Sequence, residues 1–382
     1  MRSQTSEDLQ IGLALSGGGI RAMAFHSGVL RWLAEAGPLS HVTHISSVSG
    51  GSLLMGLILR LSDWSWPSAE QYKTVILPQT RKILTTQDLA IQAILRLIHP
   101  MNWKYLLSRA NILARTIKTT WGINAHLSDL PEVPVWSING TTAETGRRFR
   151  FKRTAVGDYE LGYADAANFK VADTMAISAA FPGLIGPFAI RTDDYAWYKR
   201  ESWNAKIETA EKKQPPFEHL HLYDGGVYDN LGIEPLFDSG KQEPKDGVNF
   251  ILVSDAGTAL PRTKPRSPLN PFRLKRVVDI ISDQTRALRV RSFVAFLQTN
   301  PEKGAYFQIG ADARKKIETY KQQNPSTADT LLKETWLNAQ DAVRAASYAT
   351  TLRRMREDDF DLLERHGYET AKWNLKLFSK SI

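Results

Sequence analysis

The sequence predicts an α/β protein: a mainly parallel central sheet flanked by helices, with a helical insertion and a helical C-terminal region. Three observations predict it. Residues 10–16, 20–36 and 42–48 alternate as strand, amphipathic helix and strand, which is one β-α-β unit. Apolar runs ending at Asp224 and spanning 248–254 supply further sheet segments. The chain has 382 residues and is 42% apolar, enough for one large α/β domain with insertions, or for two domains.

The first strand, 10–16, runs into Gly17-Gly18-Gly19 and opens into a helix. Ala22, Met23, Phe25, Val29, Leu30 and Leu33 form its apolar face, and Gly37-Pro38 stops it. Glycines at a helix N-terminus leave backbone N–H groups bare where the dipole favours an anion. The next strand, Val42 to Val48, leads into Ile45-Ser46-Ser47-Val48-Ser49-Gly50-Gly51, and an apolar helical run, Leu53 to Leu61, leads out. A serine at such a strand-to-helix turn projects its hydroxyl at the tip of a sheet, as a nucleophile requires. A Ser-Gly pair by itself only makes a turn. The crossover puts the glycine loop and Ser49 at carboxyl ends of parallel strands, where open α/β sheets bind ligands.

Residues 65–130 read as an insertion. Leu89, Ile91, Ala93, Ile94, Leu95, Leu97 and Ile98 make a helix with a broad apolar face, ended by His99-Pro100. Trp103, Tyr105, Leu106, Leu107, Ile112, Leu113, Ile117 and Trp121 follow, interleaved with Lys104, Arg109, Arg115 and Lys118. That mixture suits a membrane-surface face or an active-site lid, and equally a plain helical cap buried on the sheet. Residues 133–140 and 147–152 read as a hairpin, 171–181 as helix, and 190–217, with Trp197 and Trp203, as a surface loop. A turn-rich link covers 239–247. Residues 259–271, with Arg262, Lys264 and Arg266, read as an exposed loop. A long helix is expected over 272–297, a strand at Tyr306–Ile309, and helices over 311–382.

The formal net charge is +9, with much of the excess in the insertion and in 260–316. A basic surface meets anionic lipid head groups or nucleic acid. The sequence carries no nucleic-acid module; beside an esterase site the expected partner is an anionic phospholipid membrane surface, and the charge equally suits solubility alone. There is no cysteine, hence no disulfide and no thiolate metal site, and no metal or cofactor motif is present. Met1 to Gln10 has no secretory pattern, and no apolar run approaches a membrane span. The expected location is cytoplasmic or peripheral to a membrane.

Gly17-Gly18-Gly19-Ile20-Arg21, the Ser49 elbow and Asp224-Gly225-Gly226, in that order, resemble the patatin-like phospholipase family, bacterial type, over about residues 10–260. Ala176-Ile177-Ser178-Ala179-Ala180-Phe181-Pro182-Gly183 agrees with that family's helix-ending Ser-Ala-x-x-Pro block. Ser47 stands where the family elbow, Gly-x-Ser-x-Gly, usually has its first glycine; the position needs smallness more than glycine. The resemblance implies a three-layer core over 10–260, with the mainly helical 261–382 packed on it. It implies a lipid acyl hydrolase of phospholipase A or lysophospholipase type, cleaving fatty-acyl esters of glycerophospholipids without metal or cofactor. By the same resemblance Ser49 is the nucleophile, Asp224 the base of a Ser-Asp dyad, and Gly17, Gly18 and Gly19 the oxyanion hole. Arg21, Ser47, Gly51, Gly225 and Gly226 would support them, Arg21 by bracing the glycine loop or by attracting a phosphate. An aspartate of ordinary pKa is a poor base towards serine, so such a dyad needs a dry site and closely held partners. The resemblance leaves room for a protein activator without identifying one.

Two other readings stay open. One is a noncatalytic binder of phosphorylated ligands or lipids through the glycine loop. The other is an α/β-hydrolase triad of Ser49, Asp255 and His366. Asp229 and Asp255 also end apolar runs and rival Asp224 as base, although both read as structural. His26, inside the first helix, and His44, on the strand before the elbow, read as packed side chains.

Overall fold

Strand β1 (Ile11–Leu15) is buried along its whole length and pairs in parallel with a strand on each side. The computed structural model describes residues 9–105, 108–183, 185–201, 209–260, 262, 270 and 272–379. Leu106, Leu107, Trp203, Lys264 and Arg266, and the residues before Leu9, lie outside the described residues. From β1 the chain turns at the glycines into α1 (Gly19–Ala36), returns as β2 (Val42–Ser47), and turns at Ser49 into α2 (Gly50–Leu61). α1 ends as expected: Gly37 takes the left-handed conformation at φ 104° and its N–H bonds the Leu33 carbonyl.

The insertion is helical. α3 (Ala69–Gln71) passes through a π turn at Tyr72–Ile76 into α4 (Leu77–Thr86), and α5 (Leu89–Ile98) and α6 (Arg109–Thr120) follow. The chain re-enters the sheet as β3 (Val135–Thr142) and continues through β4 (Arg148–Phe151), β5 (Ala155–Asp158) and β6 (Gly162–Asp165). After α7 (Val171–Ser178) come β7 (Phe188–Arg191), β8 (Trp197–Lys199), β9 (Glu211–Lys212) and β10 (His219–Asp224). The short α8 (Gly226–Asp229) precedes a hairpin of β11 (Phe237–Asp238) and β12 (Glu243–Pro244). β13 (Phe250–Asp255), α9 (Phe272–Thr299) and β14 (Gly304–Gln308) follow. The chain closes with α10 (Ala313–Tyr320), α11 (Pro325–Leu332), α12 (Ala339–Ser347) and α13 (Glu357–Phe378).

The sheet is mixed rather than mainly parallel. β14, β13, β1, β2 and β3 pair in parallel, but β3 to β6, β8 and β9 form an antiparallel extension, and β10 and β7 join antiparallel too. The extension is built from strands of two to four residues, too short to carry a period-two pattern, so parts of 190–217 read as loop in the sequence.

One register positions the site. β2 occupies one edge of β3 up to the Ser47–Ile138 pair. β4 holds the opposite edge of β3. β10 runs antiparallel along the same edge as β2 and stops at the Asp224–Gly140 pair. The carboxyl ends of β2 and β10 therefore point at each other, their final partners two residues apart on β3. This is how Asp224 returns to Ser49 from 175 positions along the chain.

Side chains of β13 alternate between two apolar clusters. Phe250 and Leu252 join the main core with α1, α2 and α13 residues, while Ile251 and Val253 face Leu231, Leu236, Phe237, Phe293 and Phe296. Helical segments thus cover both faces of the sheet here. α1 and α13 cross backbone to backbone: a Cβ on Gly28 would lie 1.7 Å from the Glu364 carbonyl oxygen, and one on Gly367 1.9 Å from that of Phe25.

Candidate active site

Ser49 sits at φ 49°, ψ −115°, between the end of β2 and the first residue of α2. Such a conformation costs a non-glycine residue about 1–3 kcal/mol and persists only where the surroundings fix it. Val48 N–H donates to the Leu15 carbonyl at 3.0 Å, and Ser49 N–H to the Ser178 hydroxyl at 3.0 Å. A Cβ on Gly50 would lie 2.3 Å from the Gly19 carbonyl oxygen, and one on Gly51 2.4 Å from that of Leu15. Both glycines let the N-terminus of α2 press against β1 and the glycine turn. Ser47 contributes more than small size: its hydroxyl accepts the Trp136 indole N–H and bonds the Ser52 hydroxyl, each at 2.8 Å.

The glycine turn stands beside the serine, since a Cβ on Gly17 would be 3.3 Å from the Ser49 Cβ. Gly18 and Gly19 have φ of 147° and 59°. The three glycines are not equivalent. Gly17 N–H already donates to the Asn230 carbonyl at 3.0 Å, so it fixes the turn and is not free to meet an oxyanion. Among the described residues no acceptor engages the N–H of Gly18 or Gly19. Arg21 is buried; its Nε donates to the Ala256 carbonyl at 3.1 Å and its Nη1 to the Tyr348 carbonyl at 2.6 Å. Burial lowers its pKa to about 10, which leaves it charged. The geometry fits a brace between the end of β13 and the segment before α13.

Asp224 is buried at the end of β10. Its Oδ1 accepts the Gly226 N–H at 2.7 Å, and its carbonyl accepts the Thr141 hydroxyl at 2.8 Å. Burial pushes its carboxyl up to about 7, while the Gly226 N–H and the neighbouring Ser49 hydroxyl favour the ionised form. Gly225 packs against β3, where a Cβ would lie 2.4 Å from the Asn139 carbonyl oxygen. Two contributors carry no assigned role in the sequence. The Asn230 side-chain oxygen fills the space beside Gly17 and Gly226, where Cβ atoms would come within 2.3 and 2.7 Å of it. Ser178, inside the Ser-Ala-Ala-Phe-Pro block, holds the Ser49 amide. Asn230 has a weak signal, four residues beyond Gly226.

The rival groups are otherwise engaged. Both oxygens of Asp255 take Arg286 Nε, at 3.0 and 3.1 Å, and Tyr306 Oη and Gly257 N–H also bond this carboxylate. His366 Nε2 accepts the Gly310 N–H at 2.7 Å, and burial lowers its pKa to about 4, so it is neutral and structural. Asp229 caps the turn that follows it, accepting N–H groups of Leu231 and Glu234. His26 is buried between the Ser254 hydroxyl and the Ser16 carbonyl, with its pKa lowered to about 4 by burial. His44 is half-buried against Thr43, its pKa lowered by burial.

Ser49, Asp224, Arg21 and the Gly17–Gly19 turn open into one cavity of about 790 Å³. One wall is apolar and comes from the insertion: Leu89, Ala93, Ile94 and Leu97 of α5 with Ile112 and Leu113 of α6. The lining also carries polar side chains, from Thr258 and from Asp279, Ser282, Asp283 and Arg286 of α9. Residues 347–352 close another side, where the Thr351 carbonyl accepts the Ile20 N–H at 2.9 Å. The two long helices of the insertion differ in burial. α6 is packed like a cap, but of α5 only Leu89 is buried, and Ile91, Ile94, Leu95 and Ile98 are exposed, as are Met101 and Trp103 beyond it.

The family model of the patatin-like phospholipases matches residues 13–237, from β1 through β11. The chain belongs to the patatin-like phospholipase family. No curated protein sequence matches this patatin-like chain. Among solved structures, human GIVD cytosolic phospholipase A2 aligns at a TM-score of 0.51 and 13% identity, covering 97% of this chain and 59% of that one. The same human protein in complex with methyl gamma-linolenyl fluorophosphonate aligns at 0.52 and 16%, covering 97% and 58%. VipD from Legionella pneumophila aligns at 0.38 and 13%, covering 95% and 66%. The patatin-like chain thus spans less than two thirds of the human protein, and the likeness is one of fold. Among the described residues no helix is long and apolar enough to cross a membrane.

Proposed function

We propose that this protein is a serine lipid acyl hydrolase of phospholipase A or lysophospholipase type, acting on fatty-acyl esters of membrane glycerophospholipids. One observation carries the reading: a serine in a strained strand-to-helix turn faces a buried carboxylate with a pKa near 7, on a cavity with an apolar wall. Ser49 attacks the ester carbonyl while Asp224 takes its proton, directly or through a water, and returns it to the leaving alcohol. An aspartate raised to about 7 is far better matched to this transfer at neutral pH than one of ordinary acidity. The tetrahedral oxyanion faces the N–H groups of Gly18 and Gly19 at the N-terminus of α1, where losing one donor typically costs about 3 kcal/mol. Water then attacks the acyl-serine with Asp224 as base, releasing the fatty acid.

The apolar wall from α5 and α6 suits the acyl chain. The exposed apolar residues of α5, with Arg96, Arg109 and Arg115 near them, suit peripheral docking on an anionic bilayer with the cavity mouth at the lipid surface. The test is labelling with a fluorophosphonate followed by peptide mapping, together with fatty-acid release from phospholipid vesicles. The expected result is modification at Ser49, and loss of both labelling and release in Ser49→Ala. Full release by Ser49→Ala would overturn the hydrolase reading and favour a noncatalytic binder.

A further inference from the structure

We infer that the turn Ser178–Ala180, at the end of α7, is the positioning element that sets Ser49 against Asp224, with Ser178 as its key residue. The inference rests on the hydrolase reading above and goes one layer behind it. Two bonds from this turn reach the two dyad residues. The Ser178 hydroxyl accepts the Ser49 N–H at 3.0 Å, and the Ala180 carbonyl accepts the Asp224 N–H at 3.1 Å. One rigid turn therefore grips the backbones of residues that lie 175 positions apart.

The grip on Ser49 has a fixed sense. Ser178 donates its only hydroxyl proton to the Asn139 carbonyl at 2.8 Å, because a carbonyl cannot donate. The contact between Ser178 and Ser52 at 2.8 Å must then have Ser52 as donor. Ser52 having used its proton, the 2.8 Å contact with Ser47 must have Ser47 as donor. The Ser47 oxygen is left to accept, and it meets Trp136 Nε1, which can only donate, at 2.8 Å. Every proton from Trp136 to Asn139 points one way, and Ser178 is left with its lone pairs facing Ser52 and the Ser49 amide. Ser47, Ser52 and Ser178 are all fully buried, so water does not compete for these bonds. An oriented, dry acceptor of this kind is what a serine at φ 49° needs to stay in a conformation it would otherwise leave.

The experiment compares Ser178→Ala, Ser178→Thr and Trp136→Phe with the unchanged full-length protein, on a short soluble ester and with a fluorophosphonate. Ser178→Ala is expected to lower kcat by about 100-fold, the scale of a 1 Å misplacement, with KM little changed. The labelling rate at Ser49 should fall in the same proportion, and the pH midpoint should stay where it is, because the carboxylate keeps its burial. Ser178→Thr, which keeps the hydroxyl, should recover much of the rate. Trp136→Phe, which leaves the buried Ser47 oxygen without its indole donor at the far end of the chain, should cause a smaller drop of the same kind. A folded Ser178→Ala with kcat and labelling rate within twofold of the parent would overturn the inference. If Ser178→Ala does not fold, Ser178→Cys replaces it, keeping the shape with only a weak acceptor, and an unchanged rate there overturns the inference equally. Failure of the hydrolase reading looks different: Ser49 of the parent would remain unlabelled and the parent inactive.

Discussion

In the proposed mechanism Asp224 draws its strength as a base from the same burial that burdens the fold. Its folded pKa of about 7 lies above the ordinary carboxylate value of 3.8, so the folded chain holds this proton more tightly than the unfolded chain. Between about pH 4 and pH 7 the unfolded state ionises first, and stability falls as pH rises through that window. Asp224→Asn should remove the burden, raising the melting temperature more at pH 8 than at pH 5. The same variant should abolish esterase activity, and the parent's rate should rise with pH to a plateau above about 7. A thermal melt at two pH values and one pH–rate profile check all three outcomes. Arg21→Met tests the brace: the two carbonyls of Ala256 and Tyr348 lose their donor, and both stability and turnover should fall by at least tenfold in equilibrium or rate, about 1.4 kcal/mol. A phosphate-attracting role would instead raise KM for phospholipid and spare a neutral ester. Ser49 and Asp224 were legible because each ends an apolar run at a small-residue turn, which is a local pattern. Asn230 and Ser178 were not legible as site residues, because their partners, Gly17 and Ser49, lie 213 and 129 positions away.

At the level of elements, apolar composition marked both α5 and α6 without revealing which faces solvent. The answer lies in packing: α6 lies against α7 and the sheet side of the insertion, whereas α5 has the cavity on one side and open solvent on the other. Replacing Ile98 and Trp103, exposed at 68% and 57%, by serine should weaken binding to anionic vesicles by about tenfold or more. Hydrolysis of a soluble short-chain ester should be nearly unchanged, because neither residue lines the cavity. Equal losses in both assays would mean that α5 serves the fold and not a surface. The β-α-β unit was legible because helix period and strand length both show within one short stretch of chain, 10–48. Of the antiparallel strands the β3–β4 hairpin was legible too, but β7, β8 and β9 were not, since they are defined by partners and not by their own two to four residues.

For the molecule as a whole, the glycine pair Gly28 and Gly367 lets α13 lie directly on α1, which starts at the active-site turn. Gly28→Ala or Gly367→Ala should push the helices apart and cost about 2–3 kcal/mol or more. The double variant should cost less than the sum, since both separate one pair of helices; chemical denaturation of the four proteins measures this. Neither glycine stands out in the sequence, where each is merely a poor helix former within a helical run. The segment between α12 and α13 has a further consequence. The Thr351 carbonyl tethers the Ile20 amide, Tyr348 holds Arg21, and Leu352 takes the Ala90 N–H of α5 at 3.3 Å. A chain emerging from the ribosome therefore possesses Ser49 some three hundred residues before it possesses the segment that clasps the glycine turn. If the proposed hydrolysis needs that turn, it starts only once the late segment has docked.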